Sequence, residues 1–282
     1  MRILRILILV AFVITAGLFA VNEVRWVSDR DDTPPVIAVD RDTLKLSVEA
    51  EEKDYLQGIT AHDDKDGNVT DSIVVAGKSN FIEEGVIRVD YAAFDAHNNV
   101  SSASRTVRFT DYSSPRFVSD RPFMFKKSTS YDFDFIRAID VIDGEISNKV
   151  KIMYSNLYSA TTDSIITLEV TNSLGDIEKL ELNVRIQTPQ EYSLYRPALW
   201  QYIVYTKVGE EIEPWNYVGG VWHNGQYLTF EETEFDYSLV SFNPNTVDYT
   251  TPGVYELQFN MESPSRWLPT GPAIMYVVVR DE

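Results

Sequence analysis

The stretch Ala61-His62-Asp63-Asp64-Lys65-Asp66-Gly67-Asn68-Val69-Thr70-Asp71-Ser72-Ile73 returns in altered form later in the chain. The second copy begins 77 residues on and reads Ala138-Ile139-Asp140-Val141-Ile142-Asp143-Gly144-Glu145-Ile146-Ser147-Asn148-Lys149-Val150. Both fit the pattern A-x-D-x-x-D-G-x-[VI]-[ST]-[DN]-x-[IV]. Matching residues at a fixed spacing indicate a repeated structural unit, so we expect an array of small domains.

Each copy of the motif has the features of a strand end, a tight turn and a new strand. The Asp66-Gly67 pair supplies the left-handed position that a turn needs, and the carboxylate of Asp63 or Asp140 can accept backbone N–H groups across it. Short alternating runs surround the motif, among them Leu44 to Val48 and Val86 to Tyr91. Such runs, punctuated by Gly, Asn and Asp, predict antiparallel β-sandwiches.

The motif and its neighbours resemble the bacterial immunoglobulin-like domain family, which is repeated on Gram-positive surface proteins and occurs in some pesticidal crystal proteins. Three phrases carry the resemblance in order: Thr33-Pro34-Pro35, Ala61 to Gly67, and Tyr91-Ala92-Ala93-Phe94-Asp95. The match extends over residues 32 to 188, with a more diverged second copy. It implies tandem immunoglobulin-like (Ig-like) sandwiches on a cell surface.

The repeat and its linkers predict the domain organisation. We expect a signal anchor or signal peptide at 1–22, a stem at 23–32, Ig-like domain 1 at 33–112, Ig-like domain 2 at 113–188 and a diverged Ig-like domain 3 at 189–282. Domain 3 lacks the repeated motif, but its phrase Thr251 to Phe259 resembles the penultimate strand of the same family. The predicted fold class is therefore all-β: tandem Ig-like β-sandwiches in a row, preceded by one N-terminal transmembrane helix.

The N-terminal segment predicts attachment to a bacterial cell membrane. Ile6 to Val21 contains no charged residue, Arg2 and Arg5 precede it, and Asp29 follows it. Because positive charge favours the cytoplasmic side, we expect a single-pass protein with its N-terminus inside and its C-terminal domains extracellular. A cleaved signal peptide is the alternative, and the protein would then be secreted.

Composition and charge exclude several functions. The formal net charge of −18 repels phosphate backbones, so we expect no nucleic-acid partner. The chain has no cysteine, and therefore neither a disulfide nor thiol chemistry. Its three histidines, His62, His97 and His223, lie beside Asp, Asn or Gly and outside any hydrolase motif. We predict a protein that is not an enzyme and needs no cofactor.

Domain 3 carries the predicted ligand-binding residues. Large aromatic rings crowd a Gly-rich stretch from Trp215 to Gly225, which we expect to be loop-like, and we predict that Trp215, Tyr217, Trp222 and His223 contact a ligand. In the alternative interpretation these rings are core residues, since Ig-like sandwiches commonly bury a tryptophan. The predicted function is an Ig-like stalk that presents this distal domain for adhesion or for binding a glycan or surface protein. The alternatives are a structural spacer, an envelope-assembly subunit or a carbohydrate-binding accessory module.

The repeated motif also offers a weak candidate for a calcium site. The candidate ligands are the four carboxylates Asp63, Asp64, Asp66 and Asp95, and Ca²⁺ prefers oxygen ligands of this kind. Their spacing is not that of an EF-hand, and the second copy of the motif keeps only Asp140 and Asp143. We therefore expect these carboxylates to cap turns and not to hold a metal.

Overall fold

The computed structural model describes residues 2–29, 31–128, 131–157 and 163–281, and the chain divides into two compact units, Met1–Thr110 and Asp111–Glu282. The first unit begins with helix α1 (Arg2–Asp29). Within α1, the 19 residues Ile6–Val24 have a mean hydropathy of 2.2, and none of this stretch is buried. In the described part of the chain this is the one helix long and apolar enough to cross a membrane.

A seven-stranded sandwich makes up the rest of the first unit. Its strands are β1 (Val36–Val39), β2 (Thr43–Leu46), β3 (Ile59–Asp63), β4 (Gly67–Asn68), β5 (Val74–Lys78), β6 (Val86–Phe94) and β7 (Val100–Phe109). One sheet has the order β1-β3-β4 and the other the order β2-β7-β6-β5. The pairing is antiparallel except between β2 and β7, where Thr43 lies opposite Thr106 in a parallel register.

The second unit contains two more sandwiches. The strands of the first of these are β8 (Arg116–Val118), β9 (Met124–Lys126), β10 (Arg137–Asp140), β11 (Gly144–Glu145), β12 (Lys151–Ser155), β13 (Asp163–Thr171) and β14 (Ile177–Gln187). A short helix α2 (Pro189–Tyr192) leads to β15 (Arg196–Leu199), β16 (Ile203–Lys207), β17 (Val218–His223), β18 (Gln226–Leu228), β19 (Val240–Phe242), β20 (Gly253–Met261) and β21 (Ala273–Arg280). We refer to the three seven-stranded groups as the first, second and third sandwich.

The three sandwiches share one strand order. The second is built from sheets β8-β10-β11 and β9-β14-β13-β12, and the third from β15-β17-β18 and β16-β21-β20-β19. Each contains one parallel pair, β9 with β14 and β16 with β21. The third segment therefore keeps the strand order although it has lost the sequence motif. The prediction of tandem all-β sandwiches is confirmed, and the exact domain boundaries stay a prediction.

Local hydrogen bonds explain why the motif forms the same turn twice. One carboxylate oxygen of Asp63 accepts the amides of residues 65 and 66 at 2.8 and 2.9 Å, and Gly67 has φ +75°. The hydroxyl of Thr70 accepts the amide of Ala61 at 3.1 Å. The second copy repeats these features at Asp140, at Gly144 (φ +72°) and in the pair Ser147 and Ala138. The shared residues are thus those that close the turn.

The second and third sandwiches pack directly against each other. The ring of Phe123 meets that of Tyr276 edge-on, with centroids 5.5 Å apart. The backbone amide of Tyr202 donates to the carbonyl of Ser119 at 2.8 Å. Apolar side chains from both sandwiches form one buried cluster. Side chains of the second sandwich can therefore take part in a site on the third.

Candidate ligand-binding cleft

The aromatic stretch of the third sandwich is a β-hairpin. Residues Val218–His223 form β17, and Asn224 and Gly225 turn the chain back into β18 with φ values of +50° and +79°. Positive φ at both central residues defines a two-residue type I′ turn, for which Asn-Gly is the preferred sequence. The expectation of a loop is therefore wrong for Val218–His223, whereas Pro214–Tyr217 form a short turn.

The hairpin separates two of the predicted ligand-binding residues. Trp222 and His223 are neighbours on β17, so their side chains point to opposite faces of the sheet. His223 stacks on the ring of Tyr195, with centroids 3.8 Å apart and the rings 5° from parallel. Trp222 is half-buried and lines an open cleft on the other face.

The other two predicted residues lie in a short turn before β17, away from the lining of this cleft. Trp215 is exposed at its edge and packs against Tyr237 and Phe242, with ring centroids 5.2 and 4.8 Å away. The hydroxyl of Tyr237 donates to the carbonyl oxygen of Trp215. Tyr217 is half-buried, and its burial raises the pKa of its phenol. The structure does not bring the four predicted residues together.

The cleft next to Trp222 has a volume of about 470 Å³. It is lined by Asp120, Arg121, Leu199, Trp200, Trp222, Gly225 and Tyr227. The indole of Trp200 is 55% exposed, and Tyr227 is also exposed. Their ring centroids lie 5.5 Å apart, and the rings are tilted by 38°. The cleft thus offers aromatic faces together with one carboxylate and one guanidinium group.

Two adjacent glycines, Gly219 and Gly220, leave room for these rings. A Cβ atom on Gly219 would lie 2.6 Å from the Trp200 indole, and one on Gly220 would lie 3.2 Å from the Tyr227 ring. The Tyr227 hydroxyl donates to the carbonyl of Gly219 at 2.8 Å. Partial desolvation of the otherwise exposed Tyr227, assisted by the charge of Glu232, raises the pKa of its phenol, which keeps this hydroxyl a donor. A ring held by a hydrogen bond, as that of Tyr227 is, loses little freedom when it binds a ligand.

The second sandwich provides the opposite wall of the cleft. The hydroxyl of buried Ser119 donates to the carbonyl of Arg121 at 2.7 Å, and the amide of Arg121 donates back to it at 3.2 Å. A neighbouring cleft of about 310 Å³ shares Arg121, Trp222 and Gly225 with the first. Sequence reasoning did not assign Asp120 and Arg121 to the site, because nothing in the sequence connects them with residues 80 positions later.

The four predicted calcium ligands lie in the first unit, and they differ in solvent exposure. Asp63 and Asp95 are buried, and Asp64 and Asp66 are exposed. One oxygen of Asp66 accepts the amide of Ala96 at 2.8 Å. A residue that the sequence did not suggest, Asp31, is buried beside Asp63 and Asp95.

Comparison with known proteins gives one family match. The family described as "Bacterial surface protein, Ig-like domain" matches residues 44–109, which include the strands from β2 to β7. No curated protein matches the chain. The matched segment corresponds to the first of the two motif copies.

Three solved structures illustrate the more distant likenesses. "The structure of CBM51-2 in complex with GlcNAc and INT domains from Clostridium perfringens ZmpB" is 17% identical with a TM-score of 0.23, over 54% of this chain and 41% of that one. A structure of the M60 catalytic domain of the same protein with its CBM51-1 and CBM51-2 domains is 10% identical with a TM-score of 0.21. The likeness covers 89% of this chain and 31% of that one. The protocadherin gammaB7 EC3-6 cis-dimer is 13% identical with a TM-score of 0.20. The likeness covers 88% of this chain and 74% of that one.

These three likenesses carry no inference about function, and this chain spans less than half the length of the two Clostridium structures. The family match is different, because it coincides with a complete turn motif and with six of the seven strands of one sandwich. The similarity to bacterial surface Ig-like domains is thus shown for residues 44–109, which lie in the first sandwich.

Proposed function

We propose that this chain is a non-catalytic, membrane-anchored bacterial surface protein whose third sandwich binds a neutral glycan. The observation that carries the proposal is the pair of aromatic rings, Trp200 and Tyr227, seated on glycine backbone in one cleft with Trp222. The C–H faces of sugar rings pack on such aromatic surfaces. Asp120 and Arg121 supply hydrogen-bonding groups for sugar hydroxyls at the cleft wall.

Size and charge support a small neutral ligand. The cleft of about 470 Å³ falls within the range of small-molecule sites, whereas a stable protein partner covers about 800 Å² of each surface. Residues 190–282 carry 4 basic and 13 acidic side chains, so this part of the protein repels anionic glycans.

The lining of the cleft supports binding without catalysis. Glycoside hydrolysis commonly uses a pair of carboxylates on either side of the bond to be cleaved. Among the described residues that line the cleft, Asp120 is the one carboxylate, and none is a histidine. The match to a surface Ig-like module agrees with a non-catalytic role.

Helix α1 supports display of the sandwiches at the cell surface. Ile6–Val24 is long enough to serve as an anchor, and the sequence places Arg2 and Arg5 before it and Asp29 after it. By the positive-inside rule, this orientation leaves the sandwiches outside the cell. If the segment is instead cleaved as a signal peptide, the protein is secreted. Mass spectrometry of the N-terminal peptide from membrane and medium fractions distinguishes the two outcomes.

A glycan array probed with the full chain in detergent tests the binding proposal. We expect binding to a neutral glycan, and loss of that binding in Trp200→Ala and in Tyr227→Ala. Trp267→Ala is the matched control, because Trp267 is 88% exposed on the loop between β20 and β21 and does not line the cleft. Melting curves establish that each variant is folded.

Three results would contradict the proposal. The first is that no neutral glycan binds the wild-type chain. The second is that binding survives Trp200→Ala and is lost in Trp215→Ala, which would place the binding site at the rings of Trp215, Tyr237 and Phe242. The third is capture of a defined surface protein through the cleft without glycan binding, which would favour the role in adhesion to a protein or in envelope assembly.

A further inference from the structure

Three carboxylates meet in the interior of the first unit. Asp31, Asp63 and Asp95 are 5%, 1% and 7% exposed, and one oxygen of each lies within 4.8 Å of an oxygen of the others. Asp31 lies just before β1, Asp63 ends β3, and Asp95 follows β6. The cluster thus joins three segments that are far apart in the sequence.

Two oxygens of this cluster have no hydrogen-bond partner among the residues that the structure describes. Each carboxylate uses one oxygen to accept backbone amides: Asp31 from residue 33, Asp63 from residues 65 and 66, and Asp95 from residues 97 and 99. The second oxygen of Asp95 accepts the Asn99 side-chain amide at 2.6 Å. The second oxygens of Asp31 and Asp63 are buried, and no described residue donates a hydrogen bond to them.

Within residues 31–128, no lysine or arginine lies at ion-pair distance from Asp31, Asp63 or Asp95, although the charges of Lys65 and His97 act on Asp31 from farther away. A buried carboxylate is costly unless it is hydrogen-bonded, paired or bound to a metal, and neighbouring like charges add to the cost. The turn-capping role predicted from the sequence accounts for one oxygen of each residue and leaves these two unexplained.

The second sandwich shows how the carboxylate that corresponds to Asp63 obtains a hydrogen bond when a neutral side chain lies beside it. At the 77-residue offset, Asp140 replaces Asp63 and Asn172 replaces Asp95. The Asn172 amide donates to the second oxygen of Asp140 at 3.1 Å and to the Tyr112 hydroxyl at 3.0 Å.

In the second copy, therefore, the oxygen that corresponds to the unpartnered one of Asp63 receives an N–H group. The Tyr112 hydroxyl in turn donates to Asp176, which stands where the first copy has Asn99, at 2.6 Å. The neutral Asn172 side chain thus supplies the donor to Asp140. The first copy has the carboxylate of Asp95 at that position, and a carboxylate has no hydrogen to donate.

We propose that Asp31, Asp63 and Asp95 bind one Ca²⁺ ion, which takes the place of the Asn172 amide that serves the corresponding carboxylate in the second copy. All three ligands are oxygens, which Ca²⁺ prefers, and backbone carbonyls or water can complete its six to eight ligands. Exposed Asp66 has an oxygen within 4.8 Å of an oxygen of Asp31 and is available as a further ligand. The ion fixes the chain where it leaves α1 and enters the first sandwich.

Calcium titration of the full chain in detergent, after treatment with a chelator, tests the proposal. We expect one Ca²⁺ per chain by calorimetry and a higher melting temperature in Ca²⁺ than in the chelator. Asp95→Asn copies the second sandwich, so it should remain folded and lower the Ca²⁺ affinity at least about tenfold. Asp64→Asn is the matched control, since Asp64 belongs to the same turn but is exposed, and it should bind as the wild type does.

Three results would overturn the proposal. Equal melting temperatures in Ca²⁺ and in chelator, with no calorimetric heat, would show that the cluster holds no calcium. An unchanged Ca²⁺ affinity in Asp95→Asn would place the ion elsewhere. Binding of Zn²⁺ but not of Ca²⁺ would assign a different metal, because the imidazole of His97 also has a nitrogen within 4.8 Å of Asp31.

Discussion

The ion pair between Arg280 and Glu178 is expected to hold the second and third sandwiches together. Its N–O distance is 2.6 Å, and the two side chains are 18% and 15% exposed. Removing one partner of a buried pair costs about 3–5 kcal/mol. Because this pair is partly exposed, we expect Arg280→Met to lower the free energy of unfolding by about 3 kcal/mol at pH 7.5.

The two partners are not equivalent. Without Glu178, Arg280 still donates to the carbonyl of Pro115 at 2.9 Å and lies 4.2 Å from the centre of the Tyr205 ring. Glu178→Gln should therefore cost only about 1 kcal/mol. The double variant should be more stable than the sum of the two single effects predicts, by about 1 kcal/mol.

The cost of Arg280→Met also depends on pH. Burial raises the pKa of Glu178 although Arg280 opposes the shift, so loss of Arg280 raises this pKa further. A carboxyl whose pKa is raised in the folded state binds its proton more tightly there than in the unfolded chain. The contribution of this carboxyl to stability therefore falls as the pH rises above 4.5, the ordinary pKa of a glutamate in the unfolded chain. The cost of the substitution should be smaller at pH 5 than at pH 7.5.

Urea denaturation of the full chain, followed by tryptophan fluorescence, measures these effects. Four of the five tryptophans, Trp200, Trp215, Trp222 and Trp267, lie in the second unit, so the signal reports mainly on it. We expect one transition for the wild type, because the two sandwiches share a buried core. If the single variants each cost less than about 0.5 kcal/mol and their effects add, the pair behaves as a surface ion pair and our reasoning is refuted.

Two further substitutions test the rings of the cleft and the core of the first sandwich. Gly219→Ala places a Cβ atom 2.6 Å from the Trp200 indole, so the ring must move. We therefore expect the glycan affinity, measured by calorimetry, to fall about tenfold, with little change in melting temperature. Arg105→Met removes a buried guanidinium that donates to the carbonyl of Tyr55 at 2.6 Å, and should cost about 2–3 kcal/mol in urea denaturation. Arg108→Met, on the same strand but at an exposed ion pair, is the control and should cost less than about 1 kcal/mol; equal costs would contradict the argument.

The sequence predicted the sandwiches because the repeated residues close local turns. Asp63 and Gly67 interact with neighbours a few positions away, so their pattern survives in the sequence and marks the same turn in both copies. The phrase Thr251 to Phe259 also marked the penultimate strand of the third sandwich, now β20. Alternating side chains and turn residues are local signals, and local signals can be read without a structure.

The binding cleft could be predicted only in part. Asn224-Gly225 is a hairpin signal in the sequence, and with it the opposite orientations of Trp222 and His223 follow from strand geometry. The approach of Asp120 and Arg121 depends on how two sandwiches pack, and no short-range pattern encodes that packing. Asp31 was missed for a related reason, since it joins Asp63 and Asp95 only through the folded first sandwich.

The most direct test of our account is a crystal structure of the full chain with the neutral glycan that binds it best. We predict a sugar ring packed on Trp200 or Tyr227 at about 4 Å, with hydroxyl groups bonded to Asp120 or Arg121. A sugar bound instead at Trp215, or at Trp267, would contradict the assignment of this cleft as the binding site.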